Sequence, residues 1–238
     1  MRFWVFLLIV LTGVSIAACK TTRVLKEIHA DLPEVIQFNN DRKVVQFISL
    51  HHIGKPVYYN NVRDLVKELK KDGYVVYYEF VNEEADRDSL SIDIYKRKFR
   101  KLVGFQLDSG GYASALHSRG LLLHLINQPA YSFFGVDSSD LRVDVSTAML
   151  VDAYENKYGV IELDQTDKAQ SLEGSSFAGS NRPPREKVMS ILIDYRNQNL
   201  ARFIQSSRHS RIIVMYGADH VDGTFVSLSE MDAGWKRN

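Results

Sequence analysis

The chain has a single cysteine, 5 prolines and 14 glycines among 238 residues, and its 30 basic side chains nearly cancel its 29 acidic ones. One cysteine excludes an internal disulfide, a paired-cysteine redox motif and a thiolate zinc cluster. So little proline and glycine excludes collagen-like and low-complexity classes. Charge this balanced over the whole chain lacks the basic excess of a nucleic-acid binder, so no nucleic-acid partner is expected. What is left, 45% apolar and 25% charged, is a globular composition at a length that can bury one sizeable core.

The cysteine is informative by position. Arg2 precedes an apolar run from Phe3 to Leu11, a segment too short to span a bilayer comfortably and shaped like an export signal. The run closes on Ile16-Ala17-Ala18-Cys19, which resembles the bacterial lipobox: an aliphatic residue, two small residues, then the cysteine that receives lipid. The resemblance implies a signal peptide over 1–18, a mature chain starting at an acylated Cys19, and a lipoprotein of the bacterial cell envelope, on its periplasmic or outer-membrane face. Anchoring would be by acyl chains, each buried methylene contributing about 0.8 kcal/mol. Residues 19–40 then read as a tether, and 41–238 as a single domain.

Within that domain, Val44 to Ile48 and Tyr74 to Tyr78 are short β-branched and aromatic runs that read as buried strands. Between them Val62, Leu65, Val66 and Leu69 recur at helical spacing, with Asn60 or Asn61 as N-cap candidates and Gly73 as the stop. Strand, helix and strand make the unit of a parallel sheet. Asp88 is a candidate cap for a second helix carrying Leu90, Ile94 and Leu102 on one side. Its basic run, Lys96 to Lys101, reads as a solvated face. Asp144 or Ser146 would cap a helix from Thr147, and the polar stretch 164–184 reads as a loop. Another helix would carry Val188, Ile191, Leu200 and Ile204, and Ile212 to Tyr216 would form the last strand. The expected fold is α/β, a mixed or mainly parallel central sheet surrounded by helices.

Val44 to His52 and Ile212 to His220 share one pattern: two aliphatics, a variable position, two apolar residues, a small residue, two variable positions, then histidine. Ligand sites in open parallel sheets form beyond the C-terminal strand ends, where loops from separate strands converge. Two imidazoles delivered there can meet Glu79, which follows the second strand directly. His52, His220 and Glu79 would suit a divalent ion with open positions, Mn²⁺, Co²⁺ or Zn²⁺. Asp219 is a second carboxylate or a turn residue. Arg196 lies on a solvated face, holds an anionic substrate group, or orients Glu79. His29, His117, His124 and His209 have no comparable context.

These residues resemble the TraB, PrgY, GumN and Tiki family, within the wider group of erythromycin esterase and the haem-binding lipoprotein ChaN. The resemblance spans about Val44 to Gly234. Ser49-Leu50-His51-His52 with Glu79 is similar to the family's first GxxH strand and acidic strand end. Arg196-Asn197 is similar to its helical arginine motif, and Gly217-Ala218-Asp219-His220 to its second GxxH. Ser49 stands where the family has glycine. The resemblance implies a metal-dependent, peptidase-like hydrolase with Glu79 and Arg196 catalytic, Arg196 and Tyr58 binding a peptide or small-molecule substrate, and metal on His52, His220 and Glu79. Its competing implication is a ChaN-like lipoprotein that holds haem or another ligand through histidine or tyrosine, with Tyr58, Tyr59, Tyr77 and Tyr78 as neighbours.

Overall fold

A computed structural model describes residues 27–81, 89–104, 124–172 and 181–238. The signal segment, Cys19, Asp88 and His117 lie outside the described residues. The sheet has six strands: β1 (Val35–Asn39), β2 (Val44–Ser49), β4 (Val75–Tyr78), β6 (Leu141–Arg142), β7 (Arg211–Tyr216) and β8 (Lys236–Arg237), in the order β6-β4-β7-β2-β1-β8. The strands β6, β4, β7 and β2 run parallel, and β1 and β8 add an antiparallel margin. A small ribbon pairs β3 (Ile53–Gly54) with β5 (Ile126–Asn127). The fold is therefore α/β, with a mostly parallel mixed sheet flanked by helices.

Alternate residues of the central strand feed opposite cores, the signature of a sheet covered on both faces. Ile212, Val214 and Tyr216 of β7 pack with Leu200 and Ile204 of helix α6 (Arg196–Ser206) and Leu228 of α7 (Val221–Met231). Ile213 and Met215 pack with Tyr58, Tyr59, Val62 and Val66 of α1 (Pro56–Lys71). A third core lies among helices: Leu150 and Val151 of α3 (Thr147–Tyr158) meet Leu102 of α2 (Ser89–Val103), Val188 of α5 (Arg185–Met189) and Ile191. Between α5 and α6, residues Ser190–Tyr195 are π-helical.

Several local expectations change. Residues 35–39, expected at the end of a tether, form β1, whose Phe38 is fully buried and completes the core under α7. Helix α1 starts at Pro56, where a missing N–H costs nothing, and not at Asn60; its Tyr58 and Tyr59 extend the apolar stripe one turn earlier. The end is as expected, with Gly73 in the left-handed region at φ +82°. Ser146 and not Asp144 caps α3, its hydroxyl accepting from the Met149 N–H. Part of the loop at 164–184 is helix α4 (Gln165–Ala169), held by a reciprocal capping box between Asp164 and Asp167.

The basic run of α2 is not a solvated face. Leu90 and Ile94 are exposed, while Arg100 and Lys101 are buried. Lys101 Nζ donates to Asp167 Oδ2 at 2.6 Å and to the Glu162 carbonyl at 2.8 Å; Arg97 Nη1 donates to the carbonyls of Asp167 and Gln170. Arg97, Arg100 and Lys101 are spaced i, i+3 and i+4, so they share one side of the helix, and that side closes on α4.

Candidate functional site

The parallel strands β2, β4, β6 and β7 all end at one edge, and the chain just beyond them supplies the polar groups. Glu79 follows β4, Asp144 lies two residues beyond β6, and Gly217 to His220 follow β7. Arg196 and Asn197 come from the first turn of α6, which covers the same face of the sheet.

Arg196 is the hub. Its Nε donates to Asp144 Oδ1 at 2.9 Å and its Nη2 to Asp144 Oδ2 at 2.6 Å, a bidentate pair. Nη2 also donates to Glu79 Oε1 at 2.6 Å. Nη1 faces His220 Nε2 at 3.2 Å and the Leu192 carbonyl at 3.4 Å. The five guanidinium N–H groups are all engaged within the protein. Glu79 Oε2 accepts from the Gly217 N–H at 2.8 Å. His220 Nδ1 meets Asn197 Oδ1 at 2.7 Å; the amide oxygen only accepts, so the ring proton sits on Nδ1 and Nε2 presents its lone pair to Arg196. Gly223 makes this approach feasible, since a Cβ there would lie 2.0 Å from Asn197 Nδ2.

Burial and charge set the protonation states. Burial pushes the Glu79 carboxyl up, but Arg196, His220 and His52 together outweigh it and leave it below the usual carboxylate range. Burial, then Arg196, pushes His220 down to about 4, so its imidazole is neutral near pH 7. Burial and then Asp144 raise the Tyr216 phenol. Its ring stands edge-on to His220, with Arg196 over its face. Glu79 is the least sealed of the ions: its side chain is 15% exposed, against 9% for Arg196 and 1% for Asp144.

Of the residues singled out in the sequence, Glu79, Arg196 and His220 come together. Arg196 lies on no solvated face; it and Asn197 are buried, and its contacts are those of a residue that orients Glu79. With five donors engaged it has none to offer a substrate anion. His52 is exposed on the loop after β2, and Asp219 is exposed beside His220. Tyr58, expected to bind substrate, is fully buried; its hydroxyl donates to the Ser49 carbonyl, and its ring stacks on His51. The sequence singles out neither Asp144 nor Tyr216 as a site residue, and Asn197 enters there only as the neighbour of Arg196 in its motif. Asp144 looks like a helix cap two residues before Ser146, and only the position of β6 reveals its role.

The repeated strand pattern does not repeat in space. It aligns Val44 with Ile212, whereas the sheet pairs Val44 with Arg211 and Val45 with Ile212. A one-residue slip sends matched side chains to opposite faces. Phe47 and Met215, matched in the pattern, lie in different cores, as do Ile48 and Tyr216. The two histidines accordingly differ, one exposed and one buried.

A divalent ion does not fit this arrangement. Both nitrogens of His220 and both oxygens of Glu79 already have partners, and the His220 lone pair faces a cation. Among the described residues no three of His, Cys, Asp and Glu stand close enough to hold a metal. Of the tyrosines expected beside a haem, Tyr59 and Tyr77 are buried with their hydroxyls bonded to the His51 carbonyl and to Ser207. Compared with protein-family models, curated proteins and solved structures, the chain matches none. The family resemblance rests on its motif residues alone.

Proposed function

We propose that the chain is a hydrolase of peptide-like substrates, held at a bacterial envelope membrane by acyl chains on Cys19, with its chemistry centred on Glu79 and His52. The observation that carries this reading is a nearly buried carboxylate at the C-terminal edge of a mostly parallel sheet, bonded to Arg196 and the Gly217 N–H and held, against burial, below the usual carboxylate range chiefly by that guanidinium, with His52 exposed on the loop beyond β2 at the same edge. Buried charges cost several kcal/mol each unless well paired, and their concentration where ligands bind marks a functional site.

In this reading His52 takes a proton from the attacking water as the water oxygen bonds to the substrate carbonyl carbon. Glu79 stabilises the imidazolium that forms. His52 then returns the proton to the leaving amine as the C–N bond breaks. Asp144 and Arg196 fix Glu79, and neutral His220 fills out the guanidinium's hydrogen bonds. Substrate class follows from charge. Two carboxylates against one guanidinium with no donor to spare disfavour a phosphate or sulfate and suit a neutral amide.

The test is cleavage of a peptide library by the full chain in detergent, with chelator present, read by mass spectrometry. Cleavage lost on His52→Ala supports the reading, and no cleavage by the wild type overturns it. Labelled fatty acid should enter the wild type and not Cys19→Ser.

A further inference from the structure

We propose that the cleft between α3 and the π-helical turn Ser190–Tyr195 binds a short zwitterionic peptide, its terminal ammonium held by Asp194 and Asp152 and its terminal carboxylate by Lys157. The cleft is an open cavity of about 420 Å³, within the range of about 300–1,000 Å³ usual for small-molecule sites. Asp152, Asn156 and Lys157 line it from α3, and Asp194 and Gln198 from the facing wall, over a floor that includes the buried Ile191. That wall is π-helical, a rare backbone form concentrated at functional sites.

The two ends of the cleft carry opposite charge. Tyr158 marks the basic end: its hydroxyl bonds Ser190 Oγ at 2.7 Å, and Lys157 Nζ and Lys187 Nζ each lie 5.2 Å from the centre of its ring. From that contact α3 leads back to Asp152, while the opposite wall leads on through Asp194 to Gln198, so the two carboxylates lie together, away from the lysines. The Tyr95 hydroxyl donates to Asp152 Oδ1 at 2.7 Å and fixes that carboxylate in place. Asp194, Asn156 and Gln198 are exposed and bond to no described residue, so their polar groups are open to a ligand. Asp152 and Lys157 are five residues apart on α3, about 7.5 Å along its axis. A peptide spans at most about 3.3–3.6 Å per residue, so two or three residues separate its charged termini by about that length, whereas a single amino acid falls short. The amides of Asn156 and Gln198 match the peptide groups between.

This site is separate from the strand-end network and does not rest on the hydrolase reading. It is tested by titration calorimetry of the full chain in detergent, with trialanine as the probe. Wild type should bind one trialanine per chain. N-acetyl-trialanine and trialanine amide, each lacking one terminal charge, should bind at least about 10-fold more weakly, as should trialanine to Asp194→Asn and to Lys157→Gln. Both substituted side chains are exposed, so these variants should melt as the wild type does. Glu79→Gln should bind trialanine as tightly as the wild type. No binding of trialanine by the wild type at millimolar concentration overturns the proposal. So does binding that neither cleft variant weakens, and so does binding lost on Glu79→Gln and kept in both cleft variants, which would move the peptide to the strand ends.

Discussion

Two of the buried ion networks among the described residues are built differently. At the strand ends, Arg196 and Asp144 pair with side chains 9% and 1% exposed; under α2, Lys101 and Asp167 pair at 6% and 1%. Burial and charge do not separate them. The α2 network joins one helix to one neighbouring segment, and most of its hydrogen bonds go to backbone carbonyls. The strand-end network gathers Glu79, Asp144, Arg196 and His220 from four separate stretches of chain, and most of its bonds run between side chains. The first is what a packed loop needs. The second is assembled where an α/β sheet presents its ligand site, so position in the fold, and not burial, carries the functional argument.

Breaking each network should expose this difference. Arg196→Ala strands two carboxylates, and a loss of about 3–5 kcal/mol of stability is expected in urea unfolding without added metal, together with loss of turnover. Lys101→Ala strands Asp167 alone and should cost about 3 kcal/mol in the same assay, with turnover per folded molecule unchanged. Equal loss of turnover in both variants would erase the distinction.

Acid should separate them further. His220 titrates at 6.5 when unfolded and at about 4 in the fold, so between those values the unfolded chain binds a proton that the folded chain does not. Stability from this group is present above pH 6.5 and declines as pH falls towards 4, by up to about 3 kcal/mol. Comparing unfolding free energies of wild type and His220→Gln across that window isolates the term, and parallel curves would refute it. The smallest expected effect is at Ser49, where the buried hydroxyl lacks a partner at the end of β2. Ser49→Ala should raise stability by about 1 kcal/mol, seen as a shifted urea midpoint with unchanged slope.

The sequence made the central strands legible because β2, β4 and β7 are apolar runs between turn signals, and α1 because its stripe is regular. The margin was not legible. Strands β6 and β8 are two residues long and have no periodicity to read, and β1 buries only Phe38 completely. In the site, Glu79 follows a strand directly and His220 lies four residues beyond one, at the end of the readable Gly217 to His220 run, so both could be found. Asp144 follows a strand too short to see, and Asn197 sits in a polar stretch that imitates a solvated face. Arg97, Arg100 and Lys101 carried a readable sign, their i, i+3, i+4 spacing, but basic residues near a helix end have a simpler solvent explanation, and only packing against α4 decides.

The most direct test of the account is Glu79→Gln, which keeps the shape of the side chain and removes its charge. Turnover of a cleaved peptide, measured per folded molecule in chelator, should fall by about 100-fold or more while the protein still melts cooperatively. A Glu79→Gln protein that cleaves at the wild-type rate would contradict the assignment of the strand-end network as the functional site.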